Sequence, residues 1–527
     1  MAGLQSHPIR SHLNRAEANA SSDDEGSQPL LSDGGTPRAA DGGSPRAARR
    51  ASRLGPGGGG SGGGVLEPGS NTTPLLPLVS DGSPSFAVPA TSILVSVVIL
   101  SKTIIGAGAA ALPRAFDMLG LTCAGGGLLL VAYMTHFTNE ALALGTLVTG
   151  RHMSFSEVVR ELVGKKGSLL LLLSLVCRCA GLMIIYVIIS ADVLAGHVGA
   201  SGLVCDLLGG EAGDWCSNRE LAAGVVVLCF MAPLITPRRL SSTVVTSWIG
   251  MVAVGTWVVV TLVLVAAALA KGQAHAIHWL PDPGAFSGGA AEVATRIVAV
   301  LPVLATAYTC QMTIHHILRD MQPLTQSRVK KMSAAAILLC TLVFLSIAVG
   351  SQVAFGPHLP ADILTLFNAE RLEPLVGRSL AQLFYVLVRL GFLCSIITIA
   401  PSQMAPYRES FSRLLVGREL SGGAYYLLSY GSLAAFYAIA MNSGSIWVPI
   451  QFVGATAGAL IAFIFPALVA LKAAALSEGE PLAAVRYWRW NAWALIVVGV
   501  LQAAAGITAC LFLSDDSQSN SLAADLL

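Results

Sequence analysis

Lys102 stands inside the stretch Leu100-Ser101-Lys102-Thr103-Ile104-Ile105-Gly106-Ala107-Gly108-Ala109-Ala110-Ala111-Leu112-Pro113, where a membrane helix should be most regular. A lysine there lies about eleven residues into its apolar segment, roughly 16 Å at 1.5 Å per residue, close to the bilayer centre and beyond easy snorkelling. A buried ammonium is costly unless paired or deprotonated. Gly106, Gly108 and Pro113 interrupt the same helix, and irregular backbone at that depth is tolerated only where it lines a cavity or packs within protein. Its free amides and carbonyls could satisfy a small solute or ion.

A second stretch has the same character. Leu301-Pro302-Val303-Leu304-Ala305-Thr306-Ala307-Tyr308-Thr309-Cys310-Gln311-Met312-Thr313-Ile314-His315-His316 is too polar for a lipid-facing helix. If the two breaks correspond, they meet near the midplane. Half-helix N-termini then suit a carboxylate and freed carbonyls suit an ammonium or a cation, a combination that fits an amino acid.

The elements that must position these residues are membrane spans. The chain has 527 residues, 54% hydrophobic and 12% charged, with a mean hydropathy of +0.68, which excludes an ordinary soluble domain. A window of about 20 apolar residues finds about eleven candidates. They lie near 91–118, 120–148, 168–199, 220–236, 242–271, 291–316, 331–355, 377–403, 424–441, 446–471 and 489–513. The expected fold is all-α and integral to the membrane, five spans plus five related by an inverted repeat, with an extra eleventh. Residues 1–90 form a polar leader and 514–527 a short tail.

Charge placement orients the spans, since cytoplasmic loops concentrate Lys and Arg. With the leader inside, the even-numbered connections hold Arg151, Arg160, Lys165 and Lys166; Arg238 and Arg239; Arg319, Arg328, Lys330 and Lys331; Arg408, Arg413 and Arg418; and Lys472, Arg486 and Arg489. The loop after the third span is acidic, with Asp206, Glu211 and Asp214 beside Arg219. Eight of the ten cysteines fall within spans, while Cys205 and Cys216 share that external loop and are expected to form a disulfide. A formal net charge of +2 gives no basic surplus for nucleic acid.

The leader carries Thr36-Pro37, Ser44-Pro45 and Arg49-Arg50-Ala51-Ser52, sites that suit kinases, in a composition that should remain disordered. Glu25 before Leu30-Leu31 resembles an acidic dileucine sorting signal and points to a vacuolar or lysosomal address, with the plasma membrane as alternative.

Four motifs in order resemble the amino acid/auxin permease family, within which the chain is similar to plant vacuolar amino acid transporters and animal sodium-coupled neutral amino acid transporters. They are Ser101 to Gly108 with Leu112-Pro113 and Ala115-Phe116; Ala307-Tyr308-Thr309-Cys310-Gln311 with Ile314-His315; Phe355-Gly356 with Asp362-Ile363-Leu364; and Arg389 with Pro401 and Arg408. The resemblance implies a LeuT-like fold and alternating access for an amino acid substrate. It assigns substrate contacts to Ile105, Gly106, Ala107 and Gly108 and to Thr306, Ala307, Tyr308 and Thr309, with Tyr186 as a candidate gate.

Departures from the family bear on coupling. Gln311 stands where a histidine is common, and Gln cannot titrate. Sodium-coupled relatives present a hydroxyl two residues before the proline corresponding to Pro401, but here that residue is Ile399, leaving Ser395 and Thr398 as oxygen donors. Lys102 has two readings at this point: it fills the space of a coupling cation, or it pairs with Asp192 on the third span. The expected coupling ion is a proton in preference to sodium. Arg178, Arg296 and Arg389 are read as structural charges near span ends.

No metal, cofactor or nucleotide motif is present in the sequence. His315 and Asp320 have the His-x4-Asp spacing of some acyltransferases, but they lie inside the sixth-span motif and do not argue for an enzyme. An amino acid sensor using the same pocket is the remaining rival class.

Overall fold

The computed structural model describes Val300 and residues 92–106, 108–149, 154–197, 200–208, 214–238, 243–281, 303–360, 363–443, 454–476 and 482–515. The polar leader with its kinase and sorting motifs, Ala107, Arg296, Pro302 and Asp362 lie outside these residues. Among them, seven helices are long and apolar enough to cross a membrane. The remaining candidate spans correspond to helices that are interrupted, shorter or incompletely described.

The helices that build the centre are α1 (Ile93–Ile104), α2 (Gly108–Thr149), α3 (Phe155–Leu162), α4 (Lys165–Ala195), α5 (Val244–Ala270), α6 (Gln311–Asp320), α7 (Gln326–Phe355) and α8 (Arg378–Val416). They are followed in the chain by α9 (Gly423–Met441), α10 (Phe465–Leu476) and α11 (Leu482–Asp515), of which α10 is largely buried and packs on α2. α8 packs along α4 and α5, and α7 packs along α2, α1 and α5. Large apolar side chains such as Leu228, Val245, Leu338 and Leu427 face outward, as lipid contact requires. The all-α expectation holds, with one antiparallel pairing among the described residues, Gly196–His197 with Ala200–Ser201.

Local chemistry explains the breaks in the long helices. Gly120 turns the chain inside α2 at φ 70°, a region costly for side-chain-bearing residues. The Leu121 and Thr122 amides freed by that turn donate to the carbonyls of His278 (2.8 Å) and Trp279 (3.0 Å), so a connecting segment satisfies them.

Between the second and third spans, α3 starts with a capping box: the Ser154 amide donates to Glu157 Oε2 at 2.9 Å and the Glu157 amide to Ser154 Oγ at 3.4 Å. Glu157 Oε1 also accepts from Arg413 Nη1 at 2.8 Å, joining α3 to the end of α8. Arg413 reaches Glu409 and Glu419 as well, and Glu409 lies 3.5 Å from His316 on α6. Burial raises the Glu157 carboxyl, but the Ser154 amide and the Arg413 guanidinium outweigh it and hold it below its ordinary value.

Candidate functional site

α1 ends at Ile104, and the Ile105 amide still donates to the Ser101 carbonyl at 2.9 Å before the helical pattern stops. Residues 105–106 are non-helical and α2 resumes at Gly108. The sixth span breaks likewise: residues 303–307 are helical, 308–310 are not, and α6 begins at Gln311. Gln311 supports this second break with its own side chain. Its Oε1 accepts from the Cys310 amide at 3.0 Å and its Nε2 donates to Thr138 Oγ1 at 2.9 Å.

The two breaks touch. A Cβ built on Gly108 would stand 3.0 Å from the Ala307 Cα, closer than ordinary van der Waals contact, so only glycine lets the backbones approach this far. A Cβ on Gly106 would meet the Tyr186 hydroxyl at 3.2 Å and Ile399 Cδ1 at 3.3 Å. Ile399 thus turns a methyl group towards this side of the break.

Between these elements lies a cavity of about 60 Å³. One water needs about 10–15 Å³ on this measure, so the space admits several waters or a small polar solute. Of the expected contacts, Gly106, Gly108, Thr306, Thr309 and Tyr186 line it. Tyr308 does not: fully buried, it exchanges a 2.6 Å hydrogen bond with Thr341 and packs edge-on against Phe344, both on α7. Ile105 and Ala307 are buried behind the lining, Ala307 against Gly108.

The sequence reading missed Thr103 and Val303, the α4 residues Arg178, Leu182 and Ile185, and Gln403 on α8. Arg178, Leu182, Ile185 and Tyr186 follow the i, i+4, i+7, i+8 spacing of one helix face, a signal that was present in the sequence. Arg178 is not a span-end charge. It is the fourteenth residue of α4, 2% exposed, and faces the cavity. Arg389, by contrast, lies over the Tyr385 ring at 4.8 Å.

Lys102 is fully buried and its Nζ donates to Ser395 Oγ on α8 at 2.8 Å, with the Ile105 carbonyl at 3.4 Å. Its stem runs across Gly250 of α5 beside Thr398, and a Cβ on Gly250 would collide with Lys102 Cε and Thr398 Oγ1. The Asp192 reading is corrected here. Asp192 is three residues from the end of α4 and its carboxylate takes Arg219 Nη2 at 2.5 Å. Cys205 and Cys216 are joined in a disulfide with Cα atoms 5.2 Å apart.

An all-α bundle in which two interrupted helices five spans apart close on a largely apolar cavity with Arg178, Gln403 and threonines in its lining has the architecture of a membrane transporter of the LeuT-like class. The crystal structure of the Eremococcus coleocola manganese transporter, solved with an aromatic bis-isothiourea substituted compound, shares this fold at a TM-score of 0.50, covering 85% of this chain and 94% of that one at 12% identity.

The chain belongs to the transmembrane amino acid transporter protein family, which matches residues 89–512. Relatives include amino acid transporter AVT6E of Arabidopsis thaliana, 26% identical over 77% of this chain and 80% of that one. Vacuolar amino acid transporter 5 of Schizosaccharomyces pombe is 23% identical over 70% and 82% respectively. Solute carrier family 38 member 10 of Homo sapiens is 22% identical over 70% of this chain and 32% of its own. Family membership makes the chain a carrier and removes the acyltransferase alternative.

Proposed function

We propose that the protein is a proton-coupled amino acid carrier of a vacuolar or related endomembrane, working by alternating access with its N-terminus in the cytoplasm. The observation that carries this reading is the position of Lys102. Its ammonium lies between the interrupted first span and α8, on the Ser395 hydroxyl and towards the Ile105 carbonyl, with Thr398 beside its stem. A fixed ammonium among oxygen donors takes the role of a bound monovalent cation, and one that gains and loses its proton through the cycle links that role to pH. Ile399 argues in the same direction, because it withholds a hydroxyl from a sodium ion.

The amino acid occupies the cavity bounded by Gly106, Gly108, Thr306, Thr309 and Tyr186. The tyrosine hydroxyl lies over the first break, where it can meet the substrate's backbone groups. The vacuolar address is supported by the relatives' names and the dileucine resemblance, and the orientation by the basic even-numbered connections.

Purified protein in liposomes tests the coupling. An imposed pH gradient without sodium should drive accumulation of amino acid, and a sodium gradient at uniform pH should not. Accumulation that needs sodium and ignores pH would refute the proposal.

A further inference from the structure

Arg178 lies with its Nε and Nη1 buried and without a hydrogen-bond partner among the described residues. A buried guanidinium is normally surrounded by acceptors, and the chain supplies them elsewhere. Arg408 donates to the carbonyls of Ile235 and Pro237 and to Ser429, and lies over the Tyr425 ring. At Arg178 no such provision is made, and no carboxylate lines the cavity it faces among the described residues. On the same cavity, the Gln403 side-chain oxygen is buried and likewise without a partner. The cavity lining therefore offers unused donors with positive charge and an unused acceptor.

From this we infer that Arg178 anchors a carboxylate of the transported solute. A guanidinium offers a planar fork of N–H donors that matches the two oxygens of a carboxylate. When the solute enters, it brings the counter-charge that the cavity lining does not supply. Gln403 takes part from the acceptor side, where its oxygen receives an N–H of the solute. The carboxylate is either the one every amino acid carries or a second one on an acidic side chain. This inference rests on the cavity being the substrate site, and not on which ion drives transport.

Counterflow in liposomes holding the full chain, with equal pH and no sodium on both sides, tests it without involving coupling. Four solutes serve as probes: alanine and alaninamide, aspartate and asparagine. Wild-type protein should favour the acid over the amide within at least one pair. Losing a charge-assisted hydrogen-bonded pair lowers affinity about 10- to 100-fold.

Arg178→Gln should therefore raise KM for the acid by that factor and remove the acid-over-amide preference, and Arg178→Lys should restore part of it. Loss with alanine and aspartate alike identifies the α-carboxylate as the anchor; loss with aspartate alone identifies the side chain. A wild-type protein that takes both amides as readily as the acids overturns the inference without any variant. So does an Arg178→Gln protein whose KM values and preferences match wild type. No counterflow of any of these probes by wild type overturns this inference, whereas the carrier reading falls only if a full amino acid panel also gives no flux.

Discussion

Replacing Lys102 with methionine separates the two roles a buried lysine can have. Had Lys102 been one half of a buried ion pair, removing it would strand its partner and cost about 3–5 kcal/mol. The structure gives it one good hydrogen bond, 2.8 Å to a neutral hydroxyl, and one at 3.4 Å, beyond the usual N–H···O range. A hydrogen bond from a charged donor contributes about 1.5–3 kcal/mol, and the lost donor leaves the Ser395 hydroxyl short at a cost of about 1–3 kcal/mol.

Against these losses, desolvation of the ammonium, itself several kcal/mol, disappears in the variant, and methionine has a similar length to cover Gly250. Lys102→Met should therefore lie within about 2 kcal/mol of wild type, because the desolvation relieved offsets the hydrogen bonds lost. Equilibrium unfolding in mixed micelles measures this. Counterflow should persist in the variant, whereas accumulation driven by a pH gradient should vanish. A loss of stability above about 3 kcal/mol, with proton-driven accumulation intact, would refute the reasoning, since Lys102 would then be a structural partner and not the coupling charge.

Asp192→Asn should leave proton-driven accumulation unchanged, as Asp192 pairs with Arg219 and not with Lys102; a lost pH response would restore the discarded pairing. Gly108→Val should cut uptake at least about tenfold at normal membrane abundance, because the first atom of its side chain already crowds the Ala307 backbone; full uptake would mean the breaks need not touch. The lowered Glu157 carboxyl stabilises the folded protein above its ordinary value of 4.5 and ceases to do so as pH falls through the lowered value. Glu157→Gln should accordingly flatten the acid limb of a thermal-stability profile, and an unchanged limb would show that this contact contributes nothing.

Both breaks were legible because glycine, proline and polar residues are costly in a lipid-facing helix, and the sequence places them in two corresponding spans. Side-chain direction at the breaks was not legible. Tyr308 belongs to the sixth-span motif, but the chain leaves the helical path at that residue, which turns the ring to Thr341 and Phe344 on α7. Lys102 was visible as an anomaly. Its partner was not, since Ser395 is 293 residues away and span arithmetic drew attention to the nearest suitable charge, Asp192. Arg178 was visible as a charge within the third span and was read as structural, although its spacing to Tyr186 set it on the cavity face.

The contact of Gly108 with Ala307 has a mechanical meaning. With no side chain to compress between them, two backbones in van der Waals contact transmit force as a rigid linkage and leave no slack for one to yield before the other. A first span that leans on the sixth would meet the Ala307 backbone at once, so a push from one break would reach the other without delay.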